Sequence, residues 1–197
     1  MASQPSGLVA QLINESIQVK QAMLADDVLL GEIRGLADLV IDCYRDGGKV
    51  LLAGNGGSAA DAQHIAAELV CRFTVDRPAL PAMALTTDSS ILTAVSNDLG
   101  YENLFARQLE ASGRPGDLFI AISTSGNSPN ILRAVETARR LGVTTVGLSG
   151  ASGGKMADLC NRCIRVPSDD TARIQEAHIT IGHILCSAAE QGLFGRA

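Results

Sequence analysis

At 197 residues the chain is long enough for one domain with a full core, and 46% hydrophobic with 19% charged residues is an ordinary globular composition. A formal net charge of -5 and 3% aromatic residues, with no Trp, argue against the basic surfaces and stacking platforms that bind nucleic acids. No apolar run approaches the ~20 residues of a membrane helix, and the opening MASQPSGLVAQLINES lacks the basic flank and apolar core of a signal peptide. The expectation is a cytoplasmic protein with no membrane or nucleic-acid partner.

Residues 7–24 and 27–46 carry apolar side chains at helical spacing, the second stretch ending at Gly47-Gly48, a suitable C-cap. KVLLA (49–53) is a short apolar run followed by GNGGSAADAQHIAAELV, which reads as strand, glycine turn and helix. The unit recurs as PAMAL with DSSILTAVSND, DLFIAI with SPNILRAVETARRLG, VTTVGLS with GGKMADLC, and CIRVP with TARIQEAHITIGHILCSAAEQGLF. This alternation predicts an α/β fold: a central five-stranded parallel sheet with helices on both faces, preceded by two N-terminal helices. No linker or repeat divides residues 1–197, so a single domain is expected, with 1–47 as a helical extension. The five cysteines are an odd count in a chain without an export signal, and Cys160-Asn-Arg-Cys163 has no second CxxC to complete a metal site; reduced thiols are expected.

Two turns are chemically loaded. Gly54-Asn55-Gly56-Gly57-Ser58-Ala59 fits the dinucleotide pattern G-x-G-x-x-A, but the acidic residue at about the right distance, Asp76, precedes the next strand and does not stand at its tip. The simpler use is to bring backbone N–H groups and the Asn55 amide close to a ligand's oxygens. In the second turn, Ser123-Thr124-Ser125-Gly126-Asn127-Ser128, Ser128 stands where an N-cap belongs and Pro129 at the first helical position. Capping accounts for those two and leaves Ser123, Thr124 and Ser125 unexplained. Hydroxyls and free N–H groups at a helix start form an anion site without a cation, and a phosphate monoester suits it.

The chain has three histidines. His64 and Glu68 share a helical face, with Asp61 near it; such a pair is either a surface contact or the start of a site. On the last helix Gln175 and His183 are about 80° apart around the axis and roughly 12 Å along it, while His178 and His183 are about 140° apart. One pocket can take Gln175 with either histidine, but not both histidines.

GNGGSAADAQH with Glu68, Asn97-Asp98, ISTSGNS at 122–128, and RIQE at 173–176 followed by His183 together resemble the phosphoheptose isomerases of the sugar-isomerase (SIS) domain family. The similarity spans nearly the whole chain. It implies an SIS-type three-layer sandwich and isomerisation of sedoheptulose 7-phosphate to D-glycero-D-manno-heptose 7-phosphate through an enediol. The product would feed nucleotide-activated heptose for bacterial surface polysaccharides such as lipopolysaccharide or capsule. By the same resemblance Asn55, Gly56, Gly57, Glu68, Asn97, Asp98, Ser123, Thr124, Ser125, Ser128 and Gln175 would contact substrate. His64, Glu68, Gln175 and His183 would surround one zinc ion, and Glu68 and His183 would move protons. The family is tetrameric, with active sites between subunits, an arrangement that would ease the wide spacing of Gln175 and His183. Ala172 stands where some members have an aspartate, so no contact of that aspartate is carried over. A related non-catalytic branch, which binds phosphosugars or associates with the replication initiator, lacks the equivalents of Glu68 and His183; this sequence has both.

Carboxylates are weak bases in water, so the role implied for Glu68 asks for partial burial. A carboxylate bound to zinc is weaker still, so Glu68 cannot be a tight ligand and a strong base throughout turnover.

Overall fold

In the computed structural model, which describes residues 5–195, alternation along the strands decides the architecture. In β1 (Val50–Gly54), Val50 and Leu52 enter one core and Leu51 and Ala53 the other. β3 (Leu118–Ile122) divides in the same way, Leu118, Ile120 and Ile122 opposing Phe119 and Ala121. A strand buried on both faces needs a helical layer on each side. The first layer holds α1 (Pro5–Leu24), α2 (Asp27–Arg45), α3 (Gly57–Val70) and α8 (Thr171–Phe194). The second holds α4 (Ser89–Leu99), α5 (Leu104–Ser112), α6 (Pro129–Arg140) and the single turn α7 (Met156–Leu159). With β2 (Ala82–Ala84), β4 (Thr144–Ser149) and β5 (Arg162–Arg165) the sheet is wholly parallel, in the order β2-β1-β3-β4-β5. The outer strands are short, and β5 exposes Arg162 and Arg165.

Local signals place the elements. Asp26, Asp88 and Asp170 accept from backbone N–H groups at the starts of α2, α4 and α8. Gly47 ends α2 in the left-handed region at φ +78°, as the glycine pair predicts. α5 and the 3₁₀ turn Tyr101–Asn103 before it were not anticipated from the sequence. All five cysteines are free thiols. No helix among the described residues is long and apolar enough to cross a membrane.

Helices α3 and α8 lie side by side and run in the same direction. A Cβ on Gly182 would come within 2.6 Å of Ile65, and one on Gly57 within 2.5 Å of the Gln175 amide, so contacts advance together along both helices.

His178 is fully buried on α8 and donates through Nε2 to the Ser149 carbonyl at 3.2 Å, its Nδ1 finding no partner. Burial holds its imidazole down to about 4, outweighing the hydrogen bond to Ser149. A depressed folded value means that stability present above about pH 6.5 is lost as pH falls toward 4, by roughly 3 kcal/mol at most. Urea denaturation at pH 7 and pH 5 is expected to show that loss in the native chain and a flatter response in His178→Gln.

Candidate active site

β1 leads through α3 to β2 on one side, and β3 through α6 to β4 on the other. The gap beyond their carboxyl ends is therefore the topological switch point, where open α/β sheets bind ligands. The two loaded turns border it. Asn55, after β1, and Asn130, buried in the first turn of α6, exchange amide hydrogen bonds of 2.9 Å in both directions across the gap. The Tyr101 hydroxyl also donates to Asn55 Oδ1 at 2.9 Å. Asn55 thus ties the turns together and keeps one Nδ2 hydrogen for a ligand. Beside it a cavity of about 260 Å³ is lined by Gly54, Asn55, Gly56, Thr93, Ser96 and Tyr101, among others. Asn97 and Asp98, exposed on the last turns of α4, lie outside that lining and bond to each other at 2.7 Å.

The second turn departs from simple capping. Ser128 occupies the N-cap position of α6, yet its hydroxyl does not cap; it pairs with Ser123 Oγ at 2.9 Å. Among the described residues the N–H groups of Thr124, Ser125 and Ser128 meet no acceptor. A helix start whose N–H groups are left without a protein acceptor can serve as an uncharged anion cradle. The loop 150–156 holds its shape: Gly150 N–H donates to Thr124 O at 2.9 Å, Met156 N–H to Gly126 O at 3.0 Å, and Lys155 N–H to Asn127 Oδ1 at 3.0 Å.

The titratable groups gather further along α3 and α8. His64 Nε2 is 3.2 Å from Glu68 Oε1 and 3.2 Å from His183 Nε2, although His64 and His183 are 119 residues apart. Glu68 is partly buried, its side chain 27% exposed. The Phe73 ring stacks on His183 at 5.4 Å between centroids. Asp61, one turn before His64, has an unpartnered buried oxygen, and burial pushes its carboxyl up to about 6 against the pull of His64. His178 faces the sheet, away from this cluster, as the helical angles require.

The four side chains assigned to zinc do not all meet within one chain. His64, Glu68 and His183 come together, while the Gln175 amide rests on Gly57 at the other end of the helix pair. Two imidazoles and a carboxylate are donors that zinc accepts. The 3.2 Å between the imidazole nitrogens is close to the roughly 3.3 Å edge of a tetrahedron with Zn–N bonds of 2.0–2.1 Å. Among the described residues, however, no group of three or more His, Cys, Asp or Glu side chains is arranged to hold a metal ion. The site fits zinc in donor type and imidazole spacing, without forming a finished cage.

Sequence reasoning missed Asn130, Tyr101 and Phe73. Asn130 carried a signal, being a poor helix former in a first turn whose N-cap was already supplied. Phe73, one of four phenylalanines, stands in a polar segment where no core strand or helix accounts for it.

Residues 13–150 match the SIS domain. Phosphoheptose isomerase from Aneurinibacillus thermoaerophilus is 61% identical over 182 residues, 92% of each chain. Phosphoheptose isomerase 2 from Campylobacter jejuni is 59% identical, over 92% of this chain and 90% of its own. The chain belongs to the phosphoheptose isomerase family. Solved phosphoheptose isomerases have the same fold: the Francisella tularensis structure superposes with a TM-score of 0.91 at 40% identity, covering 96% of this chain and all of its own. The Neisseria gonorrhoeae structure gives 0.88 at 42%, over 94% of this chain and 98% of its own. Where some phosphoheptose isomerases place an aspartate, Ala172 lies in the first turn of α8. The neighbouring Asp170 is committed to capping, accepting from Ala172 and Arg173 N–H at 2.8 and 3.1 Å.

Proposed function

We infer that the chain is an aldose–ketose isomerase interconverting sedoheptulose 7-phosphate and D-glycero-D-manno-heptose 7-phosphate through an enediol. The observation that carries this reading is the meeting of Glu68 and His183 around His64, in a chain whose close relatives bear the phosphoheptose isomerase name. The phosphate rests on the Thr124, Ser125 and Ser128 N–H groups and on the hydroxyls of Ser123, Thr124 and Ser125. Asn55, Gly56, Gly57, Asn97, Asp98 and Gln175 receive the sugar. The rise of about 12 Å from Gln175 to His183 is a span that suits a long-chain sugar phosphate.

Glu68 takes the carbon-bound proton, and the His183 imidazole gives and accepts protons at the neighbouring oxygens. Binding energy from the remote phosphate fixes the reacting carbons between them. His64, Glu68 and His183, with Gln175 of a neighbouring copy of the chain as the fourth side chain, would hold zinc, which when bound supplies a Lewis acid for the carbonyl.

The assembly is a homotetramer with active sites between subunits. Leu8, Val9, Leu12, Ile13 and Ile17 on α1 support association, being 42–57% exposed along the helix. The protein works in the cytoplasm, and its product enters nucleotide-activated heptose synthesis for surface polysaccharide.

Incubation with sedoheptulose 7-phosphate is expected to yield the heptose aldose, and a strong chelator is expected to lower the rate. Tight substrate binding without any aldose would assign the chain instead to the non-catalytic branch. Replacing Ser123 and Ser125 by Ala should weaken substrate affinity about 5–30-fold. Unchanged affinity by calorimetry would remove the phosphate from that turn.

A further inference from the structure

Glu190 lies seven residues beyond His183 on α8, at nearly the same angle around the axis. It is 2% exposed, and its carboxylate gathers five hydrogen bonds. The N–H groups of Phe73, Thr74 and Val75 donate at 2.8, 2.9 and 3.1 Å, the Thr74 hydroxyl at 2.8 Å and Arg77 Nε at 3.1 Å. Successive N–H groups closing on one anion form a nest, which here gives shape to a segment without helix or strand. Burial alone would raise the Glu190 carboxyl, but the bonds from Phe73, Thr74 and Val75 prevail and hold it at about 2.

Arg77 closes the arrangement from the other side. Its guanidinium donates to the Glu68 and Leu69 carbonyls at 2.9 and 2.8 Å, in the last turn of α3, and lies 5.8 Å from the Phe194 ring centre. One buried ion pair is therefore bonded to the backbone of the residue bearing the Glu68 carboxylate and fixed to the helix bearing His183. The first residue of the nest, Phe73, stacks on the His183 ring at an interplanar angle of 27°.

We propose that Glu190 and Arg77 form a positioning clamp that presses Phe73 against His183 and sets the spacing between His183 and Glu68. Neither clamp residue touches the reacting atoms; both act through the imidazole and the end of α3. The clamp's catalytic consequence rests on the isomerase reading, whereas its effect on ring placement does not.

The test uses full-length Phe73→Ala, Phe73→Tyr and Glu190→Gln, with steady-state kinetics and NMR of ¹³C-histidine-labelled protein, in which only three histidines contribute ring signals. Phe73→Ala is expected to lower kcat about 10²-fold with KM within roughly twofold, because a small misplacement of a reacting group is that costly. The His183 ring protons should lose the ring-current shift imposed by Phe73. Phe73→Tyr should restore both, and Glu190→Gln should shift the His183 signals while Phe73 is still present. A Phe73→Ala protein with lowered thermal stability but native kcat and native His183 signals would overturn the proposal. If the native chain fails to isomerise the substrate, the function is wrong, and the NMR shifts decide the clamp separately.

Discussion

Glu68→Gln is expected to slow sedoheptulose 7-phosphate turnover by about 10²–10⁴-fold with little change in KM, the range that a positioned general base contributes. Glutamine keeps the length of the side chain and an oxygen toward His64, so the packing between α3 and α8 survives while the proton acceptor is lost. Single-turnover measurement of deuterium wash-in at the carbon next to the carbonyl would report that loss directly. The variant also separates two demands on the carboxylate. A protein that retains stoichiometric zinc but no longer exchanges the proton assigns Glu68 chiefly to proton transfer. Parallel loss of metal and exchange assigns it chiefly to metal binding, and native turnover would refute both. His183→Ala should fall in the same range, and the double variant should be little worse than either, because groups that act as a unit are not additive.

Gly126→Ala is expected to destabilise the fold by about 2–5 kcal/mol and to abolish measurable phosphosugar binding. The position is left-handed at φ +63°, and an added Cβ would fall on the Gly153 carbonyl oxygen. The backbone conformation costs an L-residue about 1–2 kcal/mol, and overpacking a close contact adds about 1–3. Flexible side chains often relieve such a clash, but here the obstacle is main chain, itself fixed by Gly150 N–H on Thr124 O. Whichever loop yields, the N–H groups of Thr124 and Ser125 move. Thermal unfolding and calorimetry together check this; a native melting temperature with native affinity would mean that the two loops are not locked as described.

How much could be read beforehand follows from the distance over which each signal acts. α8 is legible from end to end because a 24-residue pattern sustains it, and the structure adds Asp170 as its cap. α5 carries only a weak signal: Leu104, Phe105 and Leu109 have helical spacing, but the segment is only nine residues long and lacks a side-chain cap. His64 and Glu68 were paired correctly by i, i+4 geometry, and the same arithmetic turned His178 away from His183. Ser128 misled in part: the N-cap position was right, but Ser123, brought close by the curl of the turn, takes its hydroxyl. The approach of Phe73 to His183 and the partnership of Arg77 with Glu190 cross more than a hundred residues, and no local pattern encodes them. The helix angles allow Gln175 beside either histidine and the resemblance groups it with His183; within one chain its amide lies on Gly57.

The short outer strands constrain how copies of the chain can associate. A row of unpaired backbone groups invites a neighbour to continue the ladder, but β2 offers three residues and β5 only four, two of them the exposed Arg162 and Arg165, Arg162 paired to Glu32. Pairing of β5 with a second β5 would bring like charges together across that border, and β2 is too short to hold a long added strand. Growth by strand addition is therefore disfavoured, and the proposed tetramer would form through helical surfaces such as the exposed apolar residues of α1.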